Sequence, residues 1–307
     1  MRDKMDKIAV IDVGSNSTRL LIAGVNPEGE VKPLHTGLIT TRLGEGINRG
    51  LLLPGAMERT VGAIADFKDL AGEWGVSGLV VSATSAVRDA ANRRDFLESV
   101  KEKTGFELRV LSGPEEAFFS YYGVKKGLAG GPGRMAVVDI GGGSTEFTWP
   151  ENGSLACGSA RVGAVRMTEG GHRDEEILSL LMPLLGGVKK ARPDNVVAVG
   201  GTATTLAAMD MKMIEYDPVR VHGYRLEKSR TELLLDTLIG AGAEGRKKIP
   251  GLQPARADII VAGVRIILII MEQLESSFIT VSEADLLYGL ASCYVKSVEI
   301  KNVIHYQ

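Results

Sequence analysis

The chain has 307 residues, 44% of them hydrophobic and 24% charged, with a net charge of −2. The length suits two domains of ordinary size, and the composition suits a soluble globular protein. The near-neutral balance excludes a global basic field that would draw the chain onto DNA or an anionic membrane. Two cysteines, Cys157 and Cys293, lie far apart without metal-ligand spacing. No disulfide framework is expected, and a reducing, cytoplasmic setting is.

The N-terminal MRDKMDKIAVIDVGS has no long apolar core and does not read as a signal peptide. From residue 8 to 31, IAVIDVGSNSTRLLIAGVNPEGEV reads as strand, tight hairpin, strand, turn, strand. Residues 54–75 set Met57, Val61, Ile64 and Trp74 on one helical face. GLVVSATSAVRDAA, residues 78–91, is a strand, a small-residue turn and a helix-prone run. Asn92 opens a helix that Gly105 stops. Residues 112–127 form another, with Pro114 in its first turn. The glycine-rich GLAGGPGR, residues 127–134, reads as a linker. Two domains are therefore expected, 1–126 and 127–307. The C-terminal helix, about 284–302, is a candidate to return to the first.

The second half repeats the first. MAVVDIGGGSTEFTWPENGSL, residues 135–155, aligns with the N-terminal segment without a gap when Asp139 is set on Asp12. Gly141 then falls on Gly14, Ser144 on Ser17 and Thr145 on Thr18. NVVAVGGTATTLAA, residues 195–208, echoes residues 78–91 more weakly. Further on, IIVAGVRIILIIMEQL, residues 259–274, is too interrupted to span a membrane. Asp258, Arg265 and Glu272, seven apart, make it a buried helix with one polar edge. The class is α/β, with antiparallel hairpins feeding mixed sheets.

Main-chain N–H groups converging at a Gly/Ser-rich turn make an anion nest, and glycine leaves no Cβ in the way. Gly14, Ser15, Asn16 and Ser17 form one such turn; Gly141, Gly142, Gly143, Ser144 and Thr145 form the other; Gly201 and Thr202 lie in a third small-residue turn. Two nests, one per domain, can grip a phosphate chain from both sides. There is no GxxxxGK[ST], and no GxGxxG opening a helix. Asp12, Asp139 and Glu146 can hold Mg²⁺ through oxygen, and Mn²⁺ suits the same donors; Asp139 can equally cap its hairpin as an Asx-turn.

Glu115 and Glu116 open a helix, where acids complement the dipole. They point about 100° apart, so one can face solvent while the other faces a cleft and takes a proton from water. Arg88 matches phosphate oxygens with its fork, or pairs with Asp89.

IDVGSNSTRLLI, TRLGEGI, SATSAVRDAANRRDF, LSGPEEAFFSYYGV, VVDIGGGSTEF, VGGTATTLAAM, VHGY and RADIIVAGVRII occur in one order. With them the chain resembles the Ppx/GppA family of exopolyphosphatases and guanosine pentaphosphate phosphohydrolases, from about residue 7 to 300. The resemblance implies the duplicated ribonuclease-H-like fold of actin, sugar kinases and heat-shock ATPases, with the site between two domains. It implies Mg²⁺-dependent hydrolysis of a terminal phosphoanhydride, of inorganic polyphosphate or of guanosine pentaphosphate, and a homodimer. It assigns water activation to Glu116, phosphate-charge stabilisation to Arg88, and metal linkage to Asp139 and Glu146.

Two departures are visible. The chain ends too soon for the extra C-terminal domain of many members. A GLREG-like string is replaced by VSEADLLYGL, residues 281–290, with Leu287 where the arginine falls. Both point to short polyphosphates or a nucleotide rather than long chains. An ATP-using kinase or ATPase of the same fold, and a binding module that senses guanosine alarmones without cleaving them, remain rival expectations.

Overall fold

The structure is a computed structural model that describes residues 5–128, 133–296 and 304–306. The first half runs β1 (Asp6–Val13), β2 (Thr18–Val25), β3 (Val31–Ile39), α1 (Pro54–Glu73), β4 (Gly78–Ala83), α2 (Ser85–Arg88), α3 (Arg93–Thr104), β5 (Arg109–Val110) and α4 (Gly113–Gly127). The second begins with β6 (Met135–Ile140), β7 (Thr145–Glu151), β8 (Ser154–Ala160), α5 (Ala164–Gly170), α6 (Asp174–Ala191), β9 (Asn195–Val199) and α7 (Gly201–Asp210). It continues with α8 (Pro218–Val221), β10 (Arg225–Glu227), α9 (Lys228–Arg246), α10 (Ile260–Gln273), β11 (Phe278–Val281), α11 (Leu286–Lys296) and β12 (Ile304–Tyr306). The expected linker falls partly, at 129–132, and the expected C-terminal helix partly, at 297–302, outside the described residues.

Each half builds a mixed sheet around its hairpin. The first has the order β3-β2-β1-β4-β5; the second is β10-β11-β9-β6-β7-β8-β12. Read from β8, the second repeats the first as β8-β7-β6-β9-β11, with β10 and β12 added at the edges. In both, the second strand is antiparallel to the first and the fourth is parallel to it. This is the ribonuclease-H-like order, built twice. The central strands β1 and β6 read as near-continuous apolar runs because both of their faces are covered. The edge strand β3, partly solvated, is exposed or half-buried at every position instead, alternating only from Leu34 onward.

Helix placement brings the two halves together. α4 lies on β6, β7 and β8 of the second sheet, while α11 lies on β1 and β2 of the first, and the two helices cross. The crossing is close: a Cβ on Gly289 would stand 1.9 Å from the Phe119 carbonyl oxygen, and one on Gly123 would stand 2.0 Å from that of Asp285. Only glycine lets the two backbones approach this far. α10 buries Ile260, Val264, Ile267 and Met271 and leaves Glu272 in water, as its polar edge requires. No helix among the described residues is long and apolar enough to cross a membrane.

Candidate active site

The two repeated hairpins close in the same way. Gly14 N–H donates to the Ser17 carbonyl at 3.0 Å, and Gly141 N–H donates to the Ser144 carbonyl at 3.0 Å. The turn carbonyls are held from outside. Gly44 N–H donates to Ser15 O and Arg42 N–H to Asn16 O. In the second turn, Ala164 N–H donates to Gly141 O and Val165 N–H to Gly142 O. In a trans peptide the N–H points opposite to the C=O. The amides of Asn16, Ser17, Gly142 and Gly143 therefore turn away from these anchoring segments, as an anion nest needs.

The two turns meet. A Cβ on Gly142 would stand 3.1 Å from Ser15 Cβ and 3.3 Å from Asn16 N. They border one cleft of about 870 Å³, which Asp12, residues 14–17, Glu116, Asp139, Gly141, Gly142, Gly201 and Thr202 line. Gly201 and Thr202 stand at the N-terminus of α7, where unpaired N–H groups and the dipole favour an anion.

Arg88, Gly143, Ser144, Thr145 and Glu146 are not among the lining residues. Thr145 is fully buried, and its hydroxyl donates to the Val162 carbonyl at 2.6 Å. The structure gives it to the scaffold of the turn rather than to the cleft. Gly143, Ser144 and Glu146 lie behind the turn, against Arg88, Ser85 and Ser159.

Glu115 and Glu116 divide their tasks as neighbours on a helix do. Ser112 and Glu115 form a capping box, with the Glu115 carboxylate accepting from Ser112 N–H at 2.9 Å and from Arg109 at 2.7 Å. Glu116 turns inward to the cleft and is 6% exposed. Arg88 Nη1 donates to Glu116 Oε2 at 2.7 Å. Arg88 Nη2 stands 3.7 Å from Glu146 Oε1 and donates to Ser144 Oγ at 3.4 Å. The Arg88 fork is thus committed to two carboxylates rather than open to a phosphate in the cleft, and the Asp89 alternative is met only loosely, with Nε 3.9 Å from Asp89.

The repeat is chemically asymmetric. Asp12 stands opposite Arg19 in β1–β2, and Asp139 stands opposite Glu146 in β6–β7. Directly opposed residues share a face, so the first copy pairs an acid with a base and the second pairs two acids. Arg19 donates to Asp12 Oδ2 from Nε at 3.1 Å and from Nη2 at 2.7 Å, and reaches Asp285 as well. Asp139 accepts from Ser120 Oγ at 2.5 Å.

Burial, and then the Glu146 and Asp285 carboxylates, push Asp139 up to about 7 against the pull of Ser120. Burial and then the Glu146 charge hold Glu116 well above the usual carboxylate range, against the Arg88 guanidinium. Burial raises Glu146 too, and Arg88 opposes it. Burial would lower Arg88, but Glu116 and Glu146 outweigh it and keep the guanidinium charged.

Two carboxylate oxygens, Asp12 Oδ1 and Glu146 Oε2, are buried without a hydrogen-bond partner. Among the described residues no group of three or more His, Cys, Asp or Glu forms a metal cluster. Mg²⁺ does not need one, because it keeps waters and uses one or two carboxylates plus substrate phosphates. The cleft-lining carboxylates Asp12 and Asp139 therefore suit a hard divalent ion, whereas Glu146, expected as a third ligand, lies behind the turn and outside the lining.

The raised Asp139 gives a stability prediction. Its folded value lies above the ordinary 3.8, so the neutral form stabilises the fold. That contribution is complete below about pH 4 and is lost as pH rises through about 7. Asp139→Asn, measured without divalent cation, should raise stability at pH 8 by on the order of 2–4 kcal/mol and leave it unchanged at pH 4. Thermal unfolding at the two pH values checks this; equal melting at pH 8 contradicts it.

Sequence reasoning missed Arg19, Ser120, Arg256, Glu283 and Asp285. Arg19, Arg256, Glu283 and Asp285 border the cleft. Ser120 is fully buried, one helical turn beyond Glu116. Arg256 packs over Gly201, and burial, then Arg19, lower it to about 10. Glu283 accepts from the Tyr216 hydroxyl, and burial raises it to about 7. Arg19 had a signal, since it occupies in the first repeat the place of Glu146 in the second.

Residues 21–292 match the model of the Ppx/GppA phosphatase family. The chain belongs to the Ppx/GppA family. A member of a phosphatase family is a hydrolase. Exopolyphosphatase 2 of Mycobacterium tuberculosis is 33% identical over 94% of this chain and 98% of its own length. The crystal structure of the Aquifex aeolicus Ppx/GppA family member superposes with a TM-score of 0.79 at 32% identity, covering 96% of this chain and 99% of that one. An exopolyphosphatase from Cytophaga hutchinsonii gives a TM-score of 0.86 at 25% identity, over 96% and 99% of the two chains.

Proposed function

We propose that this Ppx/GppA protein hydrolyses the terminal phosphoanhydride of inorganic polyphosphate and releases orthophosphate. The reading rests on one observation: two matched N–H turns meet over a single cleft that also takes the inward carboxylate Glu116. The turn amides, with the N-terminus of α7, bind terminal phosphate oxygens. Glu116, made more basic by burial, takes a proton from a water. That water's oxygen bonds to the terminal phosphorus, the bond to the bridging oxygen breaks, and the shortened chain leaves with the electron pair. Arg88 fixes the rotamer of Glu116 and balances charge behind the turn.

Asp12 and Asp139, which line the cleft, would hold Mg²⁺, or Mn²⁺, which would supply charge neutralisation between these acids and the phosphates. Short chains and guanosine pentaphosphate are the finer substrates proposed. Leu287, where the family pattern expects arginine, is buried and brings no charge to a long anion. Two domains divided near residue 127, with α11 returned to the first, and a cytoplasmic homodimer complete the proposal.

The test is phosphate release from tripolyphosphate, long polyphosphate, guanosine pentaphosphate and ATP, side by side. We expect release from polyphosphate that chelation with EDTA abolishes and Mg²⁺ restores. ATP turnover far above polyphosphate turnover would replace the reading with a kinase or ATPase. Tight alarmone binding without turnover would replace it with a sensor.

A further inference from the structure

Arg166 is a buried charge that the proposed mechanism leaves unused. It stands in the first turn of α5, is 4% exposed, and spends its guanidinium in two directions. Nε donates to the Gly143 carbonyl at 2.7 Å, and Nη2 donates to Asp89 Oδ2 at 2.6 Å. Gly143 belongs to the second phosphate turn. Asp89 belongs to the other half of the chain, caps α2, and directly follows Arg88. The backbone adds to the grip, since Arg166 N–H donates to the Gly142 carbonyl at 3.1 Å. Asn48, from the first half, donates to the Arg166 carbonyl at 3.0 Å.

Burying an arginine is costly unless its charge is paired and its donors are met. Lysine would serve as well if only a charge were needed. The planar fork instead lets one side chain hold a peptide plane and a carboxylate at a fixed angle. The peptide it holds joins Gly143 to Ser144, so fixing that carbonyl fixes the Ser144 N–H on the opposite side. The carboxylate it holds sits one residue from the arginine that orients Glu116. Arg161 also approaches Asp89, at 3.2 Å, but with its side chain 66% exposed; such a surface pair contributes little.

We propose that Arg166 and Asp89 are positioning residues, a charged clasp between the two halves that sets the second phosphate turn and the Arg88–Glu116 pair in one register. The consequence for turnover rests on the hydrolase reading above. The clasp itself does not, and the two are tested separately.

The first arm is hydrogen exchange over residues 139–147 in the free, full-length protein. Arg166→Lys cannot make both bonds, and Asp89→Asn loses the charge. Each should speed exchange of the turn by about 10-fold or more relative to core strands remote from the clasp, over and above any fall in global melting from unpairing a buried charge. Unchanged exchange in both variants overturns the clasp, whatever the substrate proves to be.

The second arm is steady-state phosphate release from tripolyphosphate. A misplaced site costs roughly 10–100-fold, and we expect this in kcat, with KM within about threefold. In the Asp89→Asn/Arg166→Lys double variant the loss should not exceed that of the worse single variant, as for residues that act as a unit. Arg161→Ala should stay within about twofold of the wild type. Additive losses, or a rise in KM with kcat unchanged, overturn the positioning role. A wild-type protein that leaves every polyphosphate intact would remove the hydrolase reading, while the exchange arm still decides the clasp. If Arg166→Lys does not fold, Asp89→Asn carries both arms.

Discussion

Glu116→Gln should lower kcat for polyphosphate by about 10²–10⁴-fold, the range that a positioned base contributes. The substitution keeps the shape of the side chain and one acceptor for Arg88, so substrate affinity should stay near the wild type. It also replaces a buried acid that burial and Glu146 already push toward its neutral form, so melting should not fall. The pH profile carries a second signature. A base must be deprotonated to act, and this one is held well above the usual carboxylate range. The wild-type rate should therefore rise with pH through a limb displaced upward from that of an ordinary glutamate, and the limb should vanish with Glu116→Gln. Calorimetry with tripolyphosphate separates binding from turnover; undiminished phosphate release removes Glu116 from the base role.

Much of the fold was legible because it is built twice. The alignment of Asp12 with Asp139 became two hairpins whose registers match residue for residue, and whose turns close on the same bond at the same length. Alternating and continuous apolar runs placed the strands, and Asn92, Gly105 and Pro114 placed helix ends at or near the observed ones. The residues by themselves left the choice between Glu115 and Glu116 open, and only the family resemblance assigned it to Glu116. What settles their orientations is the capping box at Ser112, a local bond, together with Arg88, which comes from elsewhere in the chain.

The rest was not legible because it depends on partners that no local pattern announces. Asp285 meets Arg19 across 266 residues. Arg256 reaches the cleft only because its segment packs over the start of α7. Thr145 aligned with the site by spacing, yet strand geometry set its hydroxyl on Val162. A repeat shows where two turns correspond. It does not show which of their side chains point inward, and the replacement of Arg19 by Glu146 across the repeat is where the two copies take different chemistry.

Gly143→Ala should cost turnover on the order of 100-fold, through geometry alone. Gly143 does not have a positive φ, so alanine is conformationally permitted there and the backbone adds no strain. The obstacle is contact: its methyl would stand 2.6 Å from Ser85 Oγ, 2.7 Å from Ser15 Oγ and 2.8 Å from Ile47 Cδ1. The two hydroxyls already bond each other at 3.1 Å and belong to the opposing half, so the new methyl pushes the two turns apart. Overpacking of this kind costs about 1–3 kcal/mol, so the variant should fold with a lowered melting temperature. Removing the two oxygens leaves only the flexible tip of Ile47 to give way. Gly143→Ala placed on Ser15→Ala/Ser85→Ala should lose less than 10-fold relative to that double variant. An alanine at 143 that leaves turnover unchanged in the wild-type background would mean that the turns need not meet for the phosphoanhydride to be cut.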